Sequence, residues 1–116
     1  GGGDLWEDKE MRIDELLSSI PPDDCRIVLA HNPDSADTII HTHADLVISG
    51  HTHGGQVRLP FVGSPVLPVK NKNYSCGLRY SEDATPVFIS RGIGWAIYPV
   101  RFNCYPEIAV LELTRD

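Results

Sequence analysis

Ser49-Gly50-His51-Thr52-His53-Gly54-Gly55-Gln56 follows the apolar run Ala44-Asp45-Leu46-Val47-Ile48, and this join of strand to turn decides how the chain is read. A short run rich in β-branched residues, ended by glycine, predicts a buried strand that stops at a turn. Two histidines one residue apart sit on that rigid end. Neutral imidazole is a common ligand of borderline divalent metals. A pair at i and i+2 either grips one ion or, in a tight loop, reaches two neighbouring ions. The flanking glycines allow positive φ and close backbone approach. His41-Thr42-His43, a few residues upstream, has neither a preceding apolar strand nor flanking glycines, and reads as exposed surface.

Arg26-Ile27-Val28-Leu29-Ala30 predicts a second strand, with His31 at its carboxyl end. Ligand sites in α/β proteins gather where parallel strands end. Asn32-Pro33-Asp34 turns the chain, and Asp34 to His41 reads as a short helix before the strand at Leu46 to Ser49. These two strands would deliver His31, His51 and His53 to one edge of a sheet.

Around this centre the order is α/β. Ile13, Leu16, Leu17 and Ile20 fall at i, i+3, i+4 and i+7, one face of an amphipathic helix with Asp8 as N-cap and Pro21-Pro22 as stop. Trp6 reads as core. Val57 to Val69 is apolar but interrupted by Pro60, Pro65 and Pro68, so it predicts an irregular flap or edge segment. Such a flap either lines an entrance for an apolar ligand or covers the core. Tyr74 to Tyr80 and Val87 to Ser90 read as strands, and Ile108 to Leu113 as a closing strand.

Charge and composition exclude other classes. Ten basic against 16 acidic residues give a net charge of −6, and no basic run offers the Lys/Arg cluster that nucleic-acid backbone binding requires. No apolar stretch approaches the roughly 20 residues of a membrane helix. Cys25, Cys76 and Cys104 are far apart and odd in number, which reads as free, buried thiols.

The loop GHTHGGQ, with Leu29-Ala30-His31-Asn32-Pro33-Asp34 upstream, resembles the calcineurin-like metallophosphoesterases. More narrowly, it looks like the bacterial branch whose members often carry an amino-terminal membrane anchor or export signal. Ile89-Ser90-Arg91-Gly92-Ile93-Gly94 and Pro99 to Ile108 look like the closing segments of that branch, so the resemblance runs from about Gly3 to Leu113. It implies the carboxyl-terminal part of a layered α/β/β/α sandwich, a single partial domain over residues 1–116. The family's Asp-x-His, Gly-Asp and Gly-Asn-His motifs do not occur here. Asp4 belongs to a later GxGDLW-like segment and is not assigned as a ligand. The chain opens on Gly-Gly-Gly, and its one methionine, Met11, falls within the first helix, which also suggests a piece of a larger domain.

The resemblance implies hydrolysis of phosphate esters by two divalent ions, manganese, iron or zinc, about 3.5 to 4 Å apart. His31 and His51 would ligate one ion and His53 the other. The bridging aspartate, an asparagine and the histidine that assists the leaving group would come from the amino-terminal half, the partner most strongly implied. The expectation for these 116 residues alone is loose retention of one ion, no activity and marginal stability, and any membrane association would come through an amino-terminal anchor. Two other readings stay open. One is a noncatalytic or single-metal zinc domain built on the three histidines, and the other is an interaction module that binds no metal.

Overall fold

The computed structural model describes residues 13–39 and 41–114. Asp4, Trp6, Asp8 and Met11 lie outside the described residues. Within them, helix α1 runs Ile13–Ser18, and strands β1 Ile27–Leu29, β2 Leu46–Ser49, β3 Gly77–Tyr80 and β4 Pro86–Ile89 form one sheet in the order β1-β2-β4-β3. Strands β1, β2 and β4 are parallel, and β3 closes antiparallel on β4.

The α1 stripe is narrower than its spacing predicts. Ile13 and Leu17 are buried, but Leu16, within the same helix, is exposed. Ser19 and Ile20 then bond back three residues, to the Leu16 and Leu17 carbonyls, which tightens the turn before Pro21-Pro22. The expected helix after His31 is a 3-10 helix, Pro33–Thr38, whose N-cap Asn32 accepts from the Asp34 amide at 3.0 Å. It makes the crossover from β1 to β2 and packs with α1 on one face of the sheet.

That face holds the core. Val28, Val47 and Val87 align across β1, β2 and β4, and Ile89 lies beyond them in β4. They pack with Ile13, Leu17, Ala36, Ile39, Val69 and Tyr74. Asp34 pins the far end of the flap by accepting from the Lys70 and Asn71 amides at 2.7 and 3.0 Å. Tyr74 donates from its phenol to Asp37; burial and that carboxylate push the phenol's pKa upward.

The other face is apolar and open. Leu29, Ile48, Phe88 and Leu78 are in register across all four strands, with Leu29 72% exposed and Leu78 49%. One helical layer and one sheet layer of the expected sandwich are therefore present among the described residues.

Two segments differ from their reading. Ile108 to Leu113 is not a strand: it is solvent-exposed, with Val110 at 90%, and pairs with no described strand. Its β-branched alternation suits a ladder, but a ladder needs a partner edge. The flap from Val57 to Val69 is irregular as the prolines require, and its ladder contacts are isolated bridges between Val57 and Phe102 and between Leu59 and Gly63. All three cysteines are free, yet only Cys104 is buried. Cys25 is exposed, while Cys76 is half-buried, its sulfur accepting from Arg58 Nη1 at 2.8 Å. No helix among the described residues is long and apolar enough to cross a membrane.

Candidate metal centre

Parallel pairing brings the first two histidines together. The Ala30 amide donates to Ile48 O at 3.1 Å and the Gly50 amide to His31 O at 3.2 Å, so the β1–β2 ladder extends past both strand ends. His31 Nε2 and His51 Nδ1 then lie 3.0 Å apart, with the rings edge-on at 69°.

The proton positions follow from the partners. His51 Nε2 is 3.0 Å from the Pro68 carbonyl, which only accepts, so Nε2 carries the hydrogen and Nδ1 the lone pair. A ligating histidine usually donates its other ring N–H in this way, which fixes tautomer and orientation. Two nitrogens 3.0 Å apart are spaced as adjacent ligands of one ion with bonds of about 2.1 Å. The pair therefore fits a shared divalent cation, which would take the place of the proton between them.

Of residues 51 to 56, all but Thr52 are held in a conformation that ordinary side chains avoid. His51, His53 and Gln56 have φ of 63°, 49° and 57°, with Gly54 and Gly55 also left-handed. Such residues cost about 1 to 3 kcal/mol each and persist where the surroundings over-determine them. Here the surroundings do so. Thr52, fully buried, donates from its hydroxyl to Ser75 O at 2.7 Å and accepts from the Gly54 amide at 3.2 Å. Ser64 Oγ donates to Gly54 O at 2.9 Å, and Gln56 Nε2 donates to Tyr98 O and Val100 O, both at 3.0 Å. Gly54 is required by space as well as by φ, since a Cβ there would lie 2.6 Å from Cys104 Sγ.

His53 has a different environment. Burial, and next the charge of Arg101, lower its pKa below the ordinary imidazole value, while a hydrogen bond to the Gly94 backbone works in the opposite direction. Among the described residues no group of three or more His, Cys, Asp or Glu side chains is placed to hold an ion. The structure thus joins His31 to His51 but does not gather all three imidazoles into one cluster. His41 and His43 are exposed, as expected, with Arg26 Nη1 3.3 Å from His43 Nδ1.

Beside the turn, a cavity of about 400 Å³ opens under the flap. Val62, Ser64, Leu67 and Ser75 contribute to its wall, and its charged lining residues are Arg58 and Lys72. Arg58, Ser64, Thr52 and Gln56 were not legible as site residues, because their roles depend on contacts across 10 to 44 residues of sequence.

Imidazoles presented at the carboxyl ends of parallel strands, one of them backed by a carbonyl, define an α/β protein with a histidine-bearing sheet edge. By its sequence the chain belongs to the metallophosphoesterases. It is 42% identical over 113 residues to "Phosphodiesterase YaeI" of Escherichia coli, a match covering 97% of this chain and 40% of that protein. It is 31% identical over 94 residues to "UDP-2,3-diacylglucosamine pyrophosphatase LpxG" of Chlamydia trachomatis, covering 74% of this chain and 28% of the relative. A "Transmembrane protein with metallophosphoesterase domain" from Bos taurus is 31% identical over 105 residues, covering 89% and 23%. The chain thus spans well under half the length of these relatives, and the match falls in their carboxyl-terminal part. No family model matches the chain, and no solved structure does.

Proposed function

We propose that this chain supplies the histidine half of a two-metal centre that hydrolyses phosphate esters. His31 and His51 would hold one divalent ion and His53 the other, with manganese, iron or zinc as candidates. The remaining ligands would come from the part of the fold that the relatives carry beyond the matched segment. The observation that carries this reading is the 3.0 Å approach of His31 Nε2 to His51 Nδ1 while His51 Nε2 bonds Pro68 O. When bound, such ions lower the pKa of a coordinated water and neutralise phosphate oxygens.

The chain's own residues have definite tasks. Pro68 O holds the His51 ring with its lone pair toward His31. Burial and Arg101 favour neutral His53, the form that ligates. Arg58 and Lys72 make the adjacent cavity cationic in a chain of net charge −6, which suits an anionic ester. Exposed Phe61, Val62 and Val66 on the flap would accommodate an apolar or lipid-bearing leaving group, a reading supported by the name of the chlamydial relative. Membrane association would follow from such a substrate or from an amino-terminal anchor, in line with the name of the bovine relative.

Metal stoichiometry tests the reading. With the complete protein, two ions per chain, with one lost in His51→Ala and metal-dependent hydrolysis of a phosphodiester lost with it, is the expected result. One ion per chain, held by all three histidines, would replace it with the single-metal reading.

A further inference from the structure

Arg101 stands outside the histidine motif but reaches into it. Its Nη1 donates to His53 O and Cys104 O, both at 3.2 Å. Nη2 donates to Arg91 O at 2.8 Å, to Gly92 O at 3.2 Å and to Gly94 O, and Nε donates to Gly94 O at 3.1 Å. These acceptors are backbone carbonyls, and Nη1 also lies 3.8 Å from Cys104 Sγ. They come from the histidine turn, the turn after β4 and the segment at Cys104. The neighbouring carboxylate, Glu107, is taken by Arg91, which donates to it from Nε at 2.9 Å and from its amide at 2.9 Å. Carbonyl dipoles rather than an ion pair therefore surround the Arg101 guanidinium.

The His53 carbonyl also accepts from the Gln56 amide at 3.1 Å and from the Cys104 thiol at 3.4 Å, so Arg101 is the charged member of the set that holds it. His53 belongs to no strand, and its φ of 49° begins four successive residues of positive φ, through Gly54, Gly55 and Gln56. Arg101 grips its carbonyl directly. Arg101 also grips the carbonyl of Gly94, the residue whose backbone bonds the His53 ring. One planar fork with five N–H donors thus holds both the backbone of His53 and the residue that orients its imidazole, a geometry that a lysine cannot reproduce.

We infer that Arg101 is a positioning residue for the His53 arm of the centre, fixing the turn at residues 53–56 from the closing segment of the chain. The inference rests on the reading of His53 as a ligand.

The test pairs amide hydrogen exchange with Co²⁺ binding, followed by visible absorption, in wild type, Arg101→Met, Arg101→Lys and His53→Ala. In Arg101→Met, exchange at Gly55 and Gln56 rises at least tenfold while Val47 and Val87, in the centre of the sheet, stay as in wild type. Co²⁺ affinity falls about 10- to 100-fold, the usual scale for groups that orient a ligand. Arg101→Lys, with the charge but not the fork, keeps the fast loop exchange. In a His53→Ala background Arg101→Met causes no further loss of affinity, because both changes remove the same arm. Loop exchange unchanged in Arg101→Met, loop and sheet amides accelerating together, or full rescue by lysine would each overturn the role of Arg101. Unchanged Co²⁺ affinity in His53→Ala would instead remove the ligand reading beneath it.

Discussion

His31 Nε2 and His51 Nδ1 meet at 3.0 Å although 20 residues separate them in sequence. Strand pairing brings the two residues together, and the Pro68 carbonyl sets the His51 ring. Replacing either with alanine should lower Mn²⁺ or Zn²⁺ affinity at least tenfold by isothermal titration, whereas His41→Ala, on an exposed ring, should leave it unchanged. Equal affinities in all three variants would show that the pair is not used.

Gly54 and Gly63 separate two effects that are usually confounded. Both have positive φ, at 64° and 78°, but a Cβ meets Cys104 Sγ and Arg91 Cγ at Gly54 and nothing within 4 Å at Gly63. Gly63→Ala should cost about 1 kcal/mol through backbone strain alone. Gly54→Ala adds overpacking and should cost about 3 kcal/mol. Chemical denaturation of the two variants provides the comparison.

The lowered pKa of His53 has a defined sign. Burial, with Arg101 as the second cause, favours the neutral ring, so the unfolded chain takes up its proton first as pH falls. This contribution to stability is present above the ordinary imidazole value of about 6.5 and is lost as pH falls through the lower folded value. A ring-proton titration by NMR should place the His53 midpoint below about 6.5, and Arg101→Met should move it upward.

Glu107 and Arg91 join the turn after β4 to the closing segment. The side-chain hydrogen bond from Arg91, and then the Arg91 amide, hold the Glu107 carboxyl below its usual range. The stability this supplies is present above the unfolded value of about 4.3 and is lost as pH falls through the depressed folded value. Both side chains are partly exposed, so screening limits the effect, and Glu107→Gln should cost about 1 kcal/mol at neutral pH and progressively less as pH falls below about 4.3.

The open sheet face predicts the behaviour of the isolated 116 residues. Leu29, Ile48, Phe88 and Leu78 form a continuous apolar row. The native chain should bind a hydrophobic dye and melt within or below about 45 to 65 °C. Leu29→Lys should reduce dye binding with little loss of stability, whereas Val47→Lys, in the core, should abolish folding. A cooperative melt far above that range would contradict the prediction of marginal stability.

The strand ends bearing His31 and His51 were legible because apolar runs ended in polar turns, and the prolines between Pro60 and Pro68 announced an irregular flap. The closing strand was misread because Ile108 to Leu113 has the composition of a ladder, and composition carries no information about whether an edge lies beside it. The exposure of Leu16 was hidden for a similar reason, since periodicity gives a helix face but not how much of that face the rest of the chain covers. Arg101 was invisible as a site residue because a guanidinium bound to carbonyls leaves no pattern of opposite charges in sequence.

The pairing of Ile27 with Leu46 has one last consequence, for how the site tolerates change. A slip of one residue between β1 and β2 would shift the two histidines by about 3.3 Å along the strand direction and turn the valines of the core outward at the same time. Loss of the histidine spacing and loss of the core are thus one error rather than two. Mispaired chains would then unfold instead of accumulating as folded but empty molecules, and the hydrophobic pattern of two short strands would serve as the proofreading step for the proposed metal site.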